Sequence, residues 1–193
     1  TSVAVLSLAL GIGAISTIFS FVNGIMLRPL PYSEPERLVI LDETALKRGS
    51  PSMNVSFPNF LDWREQNQSF EDIGCYSTGG LAIGSGAAAG GSGGPGGAEP
   101  EQLRGAFVSH GLFEILGVAP ILGRTFTADE DQPDRDIVVI LSYGLWQRRF
   151  GGDPNILGQT ILLNNRPRVV IGVMPNGFHF PEVAEAWGPL ALT

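Results

Sequence analysis

His110 and His179 are the only histidines of this 193-residue chain, and Cys75 is its only cysteine. A helix-borne metal site needs ligands at a spacing such as H-x-x-x-H, and the two histidines stand far apart. A single cysteine makes neither an intrachain disulfide nor a Cys-pair metal site, so Cys75 reads as a half-buried strand residue. No G-x-S-x-G sequence sets a serine on a nucleophile elbow. The acidic run DEDQPDRD, Asp129 to Asp136, suggests calcium, but an EF-hand loop starting at Asp129 needs Gly where Asp134 stands and Glu where Ile140 stands. It reads as a solvated loop. Asp62 and Glu65 offer two carboxylates with no further group placed beside them. The glycine-rich tract GSGAAAGGSGGPGG, Gly84 to Gly97, has the look of a phosphate cradle, yet no Gly-Lys-Ser/Thr follows and no helix opens at its end. It reads as a flexible hairpin or crossover loop. The sequence therefore assigns no catalytic, cofactor-binding or metal-ligating residue, and no cofactor.

The elements that would position these side chains are those of an α+β domain. RLVILDE from Arg37 reads as a strand. SFPNFLDWREQNQSF reads as a short helix with Ser56 as N-cap and Pro58 in its first turn, Phe57 sharing a face with Leu61 and Phe60 with Trp63. IGCYSTGGLAI reads as a strand. LRGAFVSHGLFEILG (Leu103 to Gly117) and DIVVILSYGLWQRRFG (Asp136 to Gly151) resemble each other: each gives a strand, a Ser N-cap, Gly-Leu, an aromatic and a terminating Gly. Ser109 matches Ser142, and Phe113 matches Trp146. His110, beside the first of these caps, reads as a surface or packing residue rather than a base. QTILLNNRPRVVIGVMP reads as a hairpin turning at Asn164-Asn165. A sheet with helices on one side is the economical arrangement.

Charge divides the chain. No charged residue occurs before Arg28, so all 12 basic and 19 acidic residues, and the net charge of −7, belong to the part from Arg28 onward. An acidic surface whose longest basic run is Arg148-Arg149 excludes nucleic acid as a partner. The uncharged stretch Thr1 to Leu27 spans roughly 40 Å as a helix, against about 30 Å for a bilayer core, and reads as a transmembrane helix. Ala9, Gly13 and Thr17, and likewise Ser16, Ser20 and Gly24, form ridges of small residues on which another helix can pack. Arg28 marks the interface, and Pro29 and Pro31 end the helix as the chain leaves the membrane. With no initiator Met and no basic leader, the chain reads as a piece of something longer.

ALGIGAISTIFSFVNGIMLRPLPYSEPERLV, SFPNFLDWREQNQSFEDIGCY, GRTFTADED and VVILSYGLWQRRFGGDPNILGQTILLNNRPRVVIGVMPNGFHFP together resemble permeases of the MacB/FtsX type of ABC transporter, in particular the duplicated ADOP-type permeases. Ile15-Ser16 departs from the Asn-Thr usual there, and the Gly84 to Gly97 loop is longer and poorer in side chains than that pattern. The resemblance implies a transmembrane helix over 1–28 and, over 29–193, part of a MacB-like periplasmic core domain built of β-α-β porter-like units. It implies a bacterial inner-membrane location with the residues after about 28 extracytoplasmic. It further implies partnership with an ABC-type ATPase subunit that hydrolyses ATP, with more transmembrane helices of the same permease and in a dimeric assembly. The chain itself would not be an enzyme; it would relay ATP-driven motion to the outer domain for export or extraction of lipoproteins, peptides or drugs. A membrane-tethered sensor or binding module, and a membrane-anchored hydrolase completed by further sequence, remain open from the residues alone.

Overall fold

The computed structural model describes residues 34–45, 50–87, 99–181 and 183–191, together with Ser2, Ile12, Gly13, Ser16, Phe19 and Tyr32. The chain divides into two compact units, Thr1–Arg37 and Leu38–Thr193. In the first, Ser2, Ile12, Gly13, Ser16 and Phe19 are helical, and Pro35–Arg37 form one 3-10 turn. Apart from these five residues, the proposed span over 1–28, with its Arg28-Pro29 exit, lies outside the described residues. Among the described residues no helix is long and apolar enough to cross a membrane.

The second unit opens with a small antiparallel ribbon, β1 (Glu43–Ala45) against β2 (Ser50–Met53). The strand expected from Arg37 is therefore mostly absent. Leu38 to Asp42 lie outside it, and Val39 and Ile40 are 62% and 82% exposed. β-propensity becomes a strand only where a neighbour takes up the backbone groups, and β2 pairs with Glu43–Ala45 alone. Helix α1 (Phe57–Gln66) begins as expected, with Ser56 extended at the N-cap and Pro58 in the first turn. Only one of its two apolar pairs reaches the core: Phe60 is buried and Trp63 half-buried, while Phe57 and Leu61 stay exposed.

Seven further strands make one sheet: β3 (Tyr76–Ala87), β4 (Glu101–Val108), β5 (Leu122–Gly123), β6 (Val138–Leu141), β7 (Thr160–Leu163), β8 (Arg166–Val173) and β9 (Ala186–Pro189). Their order is β5-β8-β6-β9-β4-β3-β7, and β7 also pairs with β8. The pairings β8–β6–β9–β4–β3–β7–β8 thus form a closed circuit, which removes the free edges of an open sheet. β6 and β8 are parallel neighbours, the chain passing between them through helix α3 (Tyr143–Phe150) and then β7, and β9 inserts parallel to β4 and antiparallel to β6.

The core lies on the inner face of this circuit. Leu81, Ile83, Leu103, Leu141, Ile161, Leu163 and Ala186 pack there with Leu145 and Trp146 of α3. Trp187, the next residue of β9, points to the opposite face, where Phe113 of helix α2 (Leu112–Ile115) and Phe178 stack on it at 6.1 and 5.5 Å between ring centres. The helices therefore cover two faces, not the single face expected.

The two similar strand-helix segments use different caps. Ser142 is extended and its Oγ accepts from the Leu145 N–H at 3.1 Å; Gly151, at φ 62°, ends α3. In the earlier segment Gly111, at φ 83°, holds the N-cap of α2. Ser109 is buried and its Oγ accepts from the Cys75 N–H at 3.0 Å, joining the end of β4 to the chain entering β3. Gly84 to Ala87, expected in a loop, extend β3, which pairs antiparallel with β4; residues 88–97 of the tract lie outside the described ones.

Candidate functional site

The polar residues that leave the surface gather in three places. The first is the Asn164-Asn165 hairpin and the strand it launches. Both asparagines have positive φ, 51° and 59°, as a type I′ turn requires, and Asn164 Oδ1 also accepts from the Ala82 N–H of β3 at 2.8 Å. The turn sets the register of β8, in which Arg166 and Arg168, two residues apart, share a face. Arg168 Nη2 donates to Asp136 Oδ2 at 2.6 Å, with the two side chains 12% and 24% exposed. Arg168 Nη1 is buried with no hydrogen-bond partner, a condition that costs about 1–3 kcal/mol.

These groups line a cleft of about 240 Å³ in the mouth of the strand circuit. Its apolar lining is Leu81, Phe107, Val138, Val139 and Leu163; its polar lining is Asp136, Asn164, Arg166 and Arg168. Gly188 of β9 also lines it, and a Cβ there would come to 3.3 Å from the Phe107 ring. Every strand of the circuit contributes to this one cleft.

The second place is the acidic run, which is less solvated than its composition implied. Asp131 has only 7% of its side chain exposed. Its Oδ2 accepts from the His110 backbone N–H at 2.8 Å and lies 3.1 Å from His110 Nδ1, and its Oδ1 accepts from the Ala191 N–H at 2.8 Å. His110 Nε2 in turn lies 3.3 Å from Arg64, which pairs with Asp72. Glu130 binds Arg124 through two contacts of 2.8 and 2.6 Å, and this hydrogen bonding holds its carboxyl below the usual range. Burial, helped by the charge of Asp131, pushes the Cys75 thiol up, away from the thiolate a nucleophile needs. Among the described residues no group of three or more His, Cys, Asp or Glu stands ready for a metal ion.

The third lies where β3 and β4 flank the glycine tract. Arg149, 4% exposed, donates to the Gly84 and Glu99 carbonyls at 2.6 and 3.0 Å, while Arg148 bridges Glu101 and Glu185 at 2.8 Å each. The longest basic run of the chain is thus spent on holding α3 to the sheet. His179 is exposed and lines a shallow second cleft with Tyr143 and Arg104; Asp62 and Glu65 are exposed on α1. The structure brings none of His179, Cys75, Asp62 and Glu65 together. The ties made by Asp131 and by Asp136 with Arg168 were invisible in sequence, because their partners stand 60 and 32 residues away.

The described residues form a mixed α/β domain whose sheet closes on itself. The chain matches the model of the MacB-like periplasmic core domain over residues 1–192 and belongs to that family. It is 32% identical over 85 residues to the macrolide export ATP-binding/permease protein MacB of Salmonella typhi, a stretch covering 42% of this chain and 13% of that protein. It is 38% identical over 66 residues to the protein of the same name from Burkholderia pseudomallei (strain K96243), covering 34% and 10%. Among solved structures it resembles the periplasmic region of MacB from Actinobacillus actinomycetemcomitans, with a TM-score of 0.53 at 18% identity over 78% of this chain and 62% of that one. It also resembles the extracellular domain of the noncanonic ABC-type transporter YknZ from Gram-positive bacteria, with a TM-score of 0.52 at 15% identity over 68% and 61%. At such identities these two likenesses concern the fold.

Proposed function

We propose that this chain is the first transmembrane helix and part of the extracytoplasmic domain of an ABC transporter permease in a bacterial inner membrane. The domain relays motion driven by ATP hydrolysis on an ABC-type ATPase to substrates outside the membrane: lipoproteins, peptides or drugs. Family membership over residues 1–192 carries the reading. The curated relatives bear names that join ATP binding and permease in one protein, so the ATPase is either fused to the full-length chain or a separate subunit. Its further transmembrane helices and a dimeric assembly complete the machine. The charge-free stretch ahead of Arg28 supports a membrane helix leading into the domain.

The test is topology in intact cells. With Cys75 replaced by serine, a cysteine is placed at Ser33 of the full-length protein and treated with a membrane-impermeant maleimide. Labelling equal to that by a permeant reagent is expected. Labelling by the permeant reagent alone would put the domain on the wrong side of the membrane and end the proposal.

A further inference from the structure

The cleft in the mouth of the strand circuit is partly charged and partly apolar, and the charges do not balance. Arg166 and Arg168 face a single acid, Asp136, leaving one positive charge in excess in its polar lining. Asp136 satisfies only one end of the Arg168 guanidinium; Nη1 stays buried and unpartnered. A guanidinium is a planar fork that accepts a carboxylate through two parallel N–H groups, and one of its terminal nitrogens is still available. The same cleft is lined by Leu81, Phe107, Val138 and Leu163, which supply apolar surface but no side-chain hydrogen-bond partner. β9 carries Gly188 beside the Phe107 ring, where a Cβ would come to 3.3 Å from the ring. Pockets of this kind, mostly apolar with a few fixed polar groups, set the orientation of a small ligand by its polar end.

We infer that this cleft is a binding site for a carboxylate borne on a short apolar chain, the carboxylate on Arg168 and Arg166 and the chain against Phe107, Leu81 and Leu163. Two sources share that chemistry: a short fatty acid and the C-terminus of a peptide ending in an apolar residue. The site stands or falls independently of the transport reading, since it rests on the cleft alone.

The 193-residue chain in lipid nanodiscs is titrated with carboxyl-labelled hexanoate and, separately, with acetyl-alanyl-leucine, and binding is read by carbon NMR. Hexanamide and the amide of the dipeptide are the controls, because they partition into lipid and cleft alike but lack the charge. The acid is expected to bind about tenfold more tightly than its amide, the value of one charge-assisted hydrogen bond. Which of the two acids binds more tightly distinguishes the sources. Arg168→Gln should abolish the preference for acid over amide. Asp136→Asn should increase it severalfold, because it removes the competing carboxylate; a variant that merely misfolds cannot do this. Equal binding of acid and amide to the unaltered protein, or a weakening in Asp136→Asn as large as in Arg168→Gln, would overturn the inference.

Discussion

Asp131→Ala removes a buried carboxylate that holds two distant parts of the chain together. Asp131 is 7% exposed and accepts the backbone N–H groups of His110 and Ala191, each at 2.8 Å. Ala191 is held at φ 49°, a left-handed conformation that costs an L-residue roughly 1–2 kcal/mol, so the bond also fixes a strained backbone. A hydrogen bond to a charged group contributes about 1.5–3 kcal/mol. Two of them at the lower end of that range, because removal of the carboxylate also relieves its desolvation, give an expected loss of about 3 kcal/mol. Against a domain stability of about 5–15 kcal/mol this is a large fraction. Asp131→Asn should cost nearly as much. Its carboxamide oxygen can serve one of the two N–H groups, but its NH₂ then confronts the other, donor against donor. The assay is urea unfolding followed by tryptophan fluorescence, to which the fully buried Trp187 contributes alongside Trp63 and Trp146. A loss below about 1 kcal/mol in Asp131→Ala, or full retention of stability in Asp131→Asn, would show that the tie is not structural.

Three further outcomes follow from the same geometry. Glu130 has its carboxyl lowered from 4.5 in the folded state by the hydrogen bonds of Arg124, so its contribution is complete above that value and is lost as the pH falls through the lower folded value; Glu130→Gln should flatten the fall in melting temperature on acidification below about pH 5 and leave the curve above it displaced but parallel. Asn165→Gly should stabilise the β7–β8 turn by about 0.5 kcal/mol, since glycine relieves φ 59°, whereas Asn164→Gly should cost about 1 kcal/mol, because it also strips the acceptor from the Ala82 N–H; paired urea midpoints decide between them. In the full-length permease with its ATPase, replacing both Pro29 and Pro31 with glycine should leave ATP hydrolysis intact and reduce transport, and unchanged values of both in one reconstituted sample would refute the coupling role of those prolines.

The sequence made the local rules legible and hid the long-range ones. The Asn164-Asn165 hairpin and the Ser142 cap with its Gly151 stop came out as read, because each is decided within a few residues by backbone chemistry. Ser109, in an equally cap-like setting, went instead to Cys75, 34 residues earlier, because β4 ends beside the entry to β3 and a buried N–H there needed an acceptor. Leu38 to Asp42 read as a strand from their side chains, yet the strand begins only at Glu43. The acidic run divided against its composition: Asp131 and Asp136 turn inward to fixed donors, whereas Asp129 and Asp134 stay exposed. The cleft was beyond reach for the same reason, since its lining comes from β3, β4, β6, β7, β8 and β9 at once.

Closure of the strand circuit bears on how the proposed relay can work. An open sheet can shear or splay at its edges, but here β8 is bonded to both β6 and β7, and β7 closes back to β3. Arg148 and Arg149 add ties from α3 to the strands on the far side of the circuit, and Asp131 ties the segment after β9 to the β4–α2 corner. To move one strand of the circuit relative to its neighbours, several ladder bonds would have to break together, a cost of the same order as the stability of the whole domain. The Leu38–Thr193 unit must therefore move as a body in any relay at lower cost, and the bending must occur outside it. The segment that separates the charge-free stretch from this unit, Arg28 to Arg37, contains Pro29, Pro31 and Pro35. Three prolines in ten residues restrict the backbone freedom of that segment, so in the proposed relay it would pass motion on to the unit more directly than an unrestricted linker of the same length.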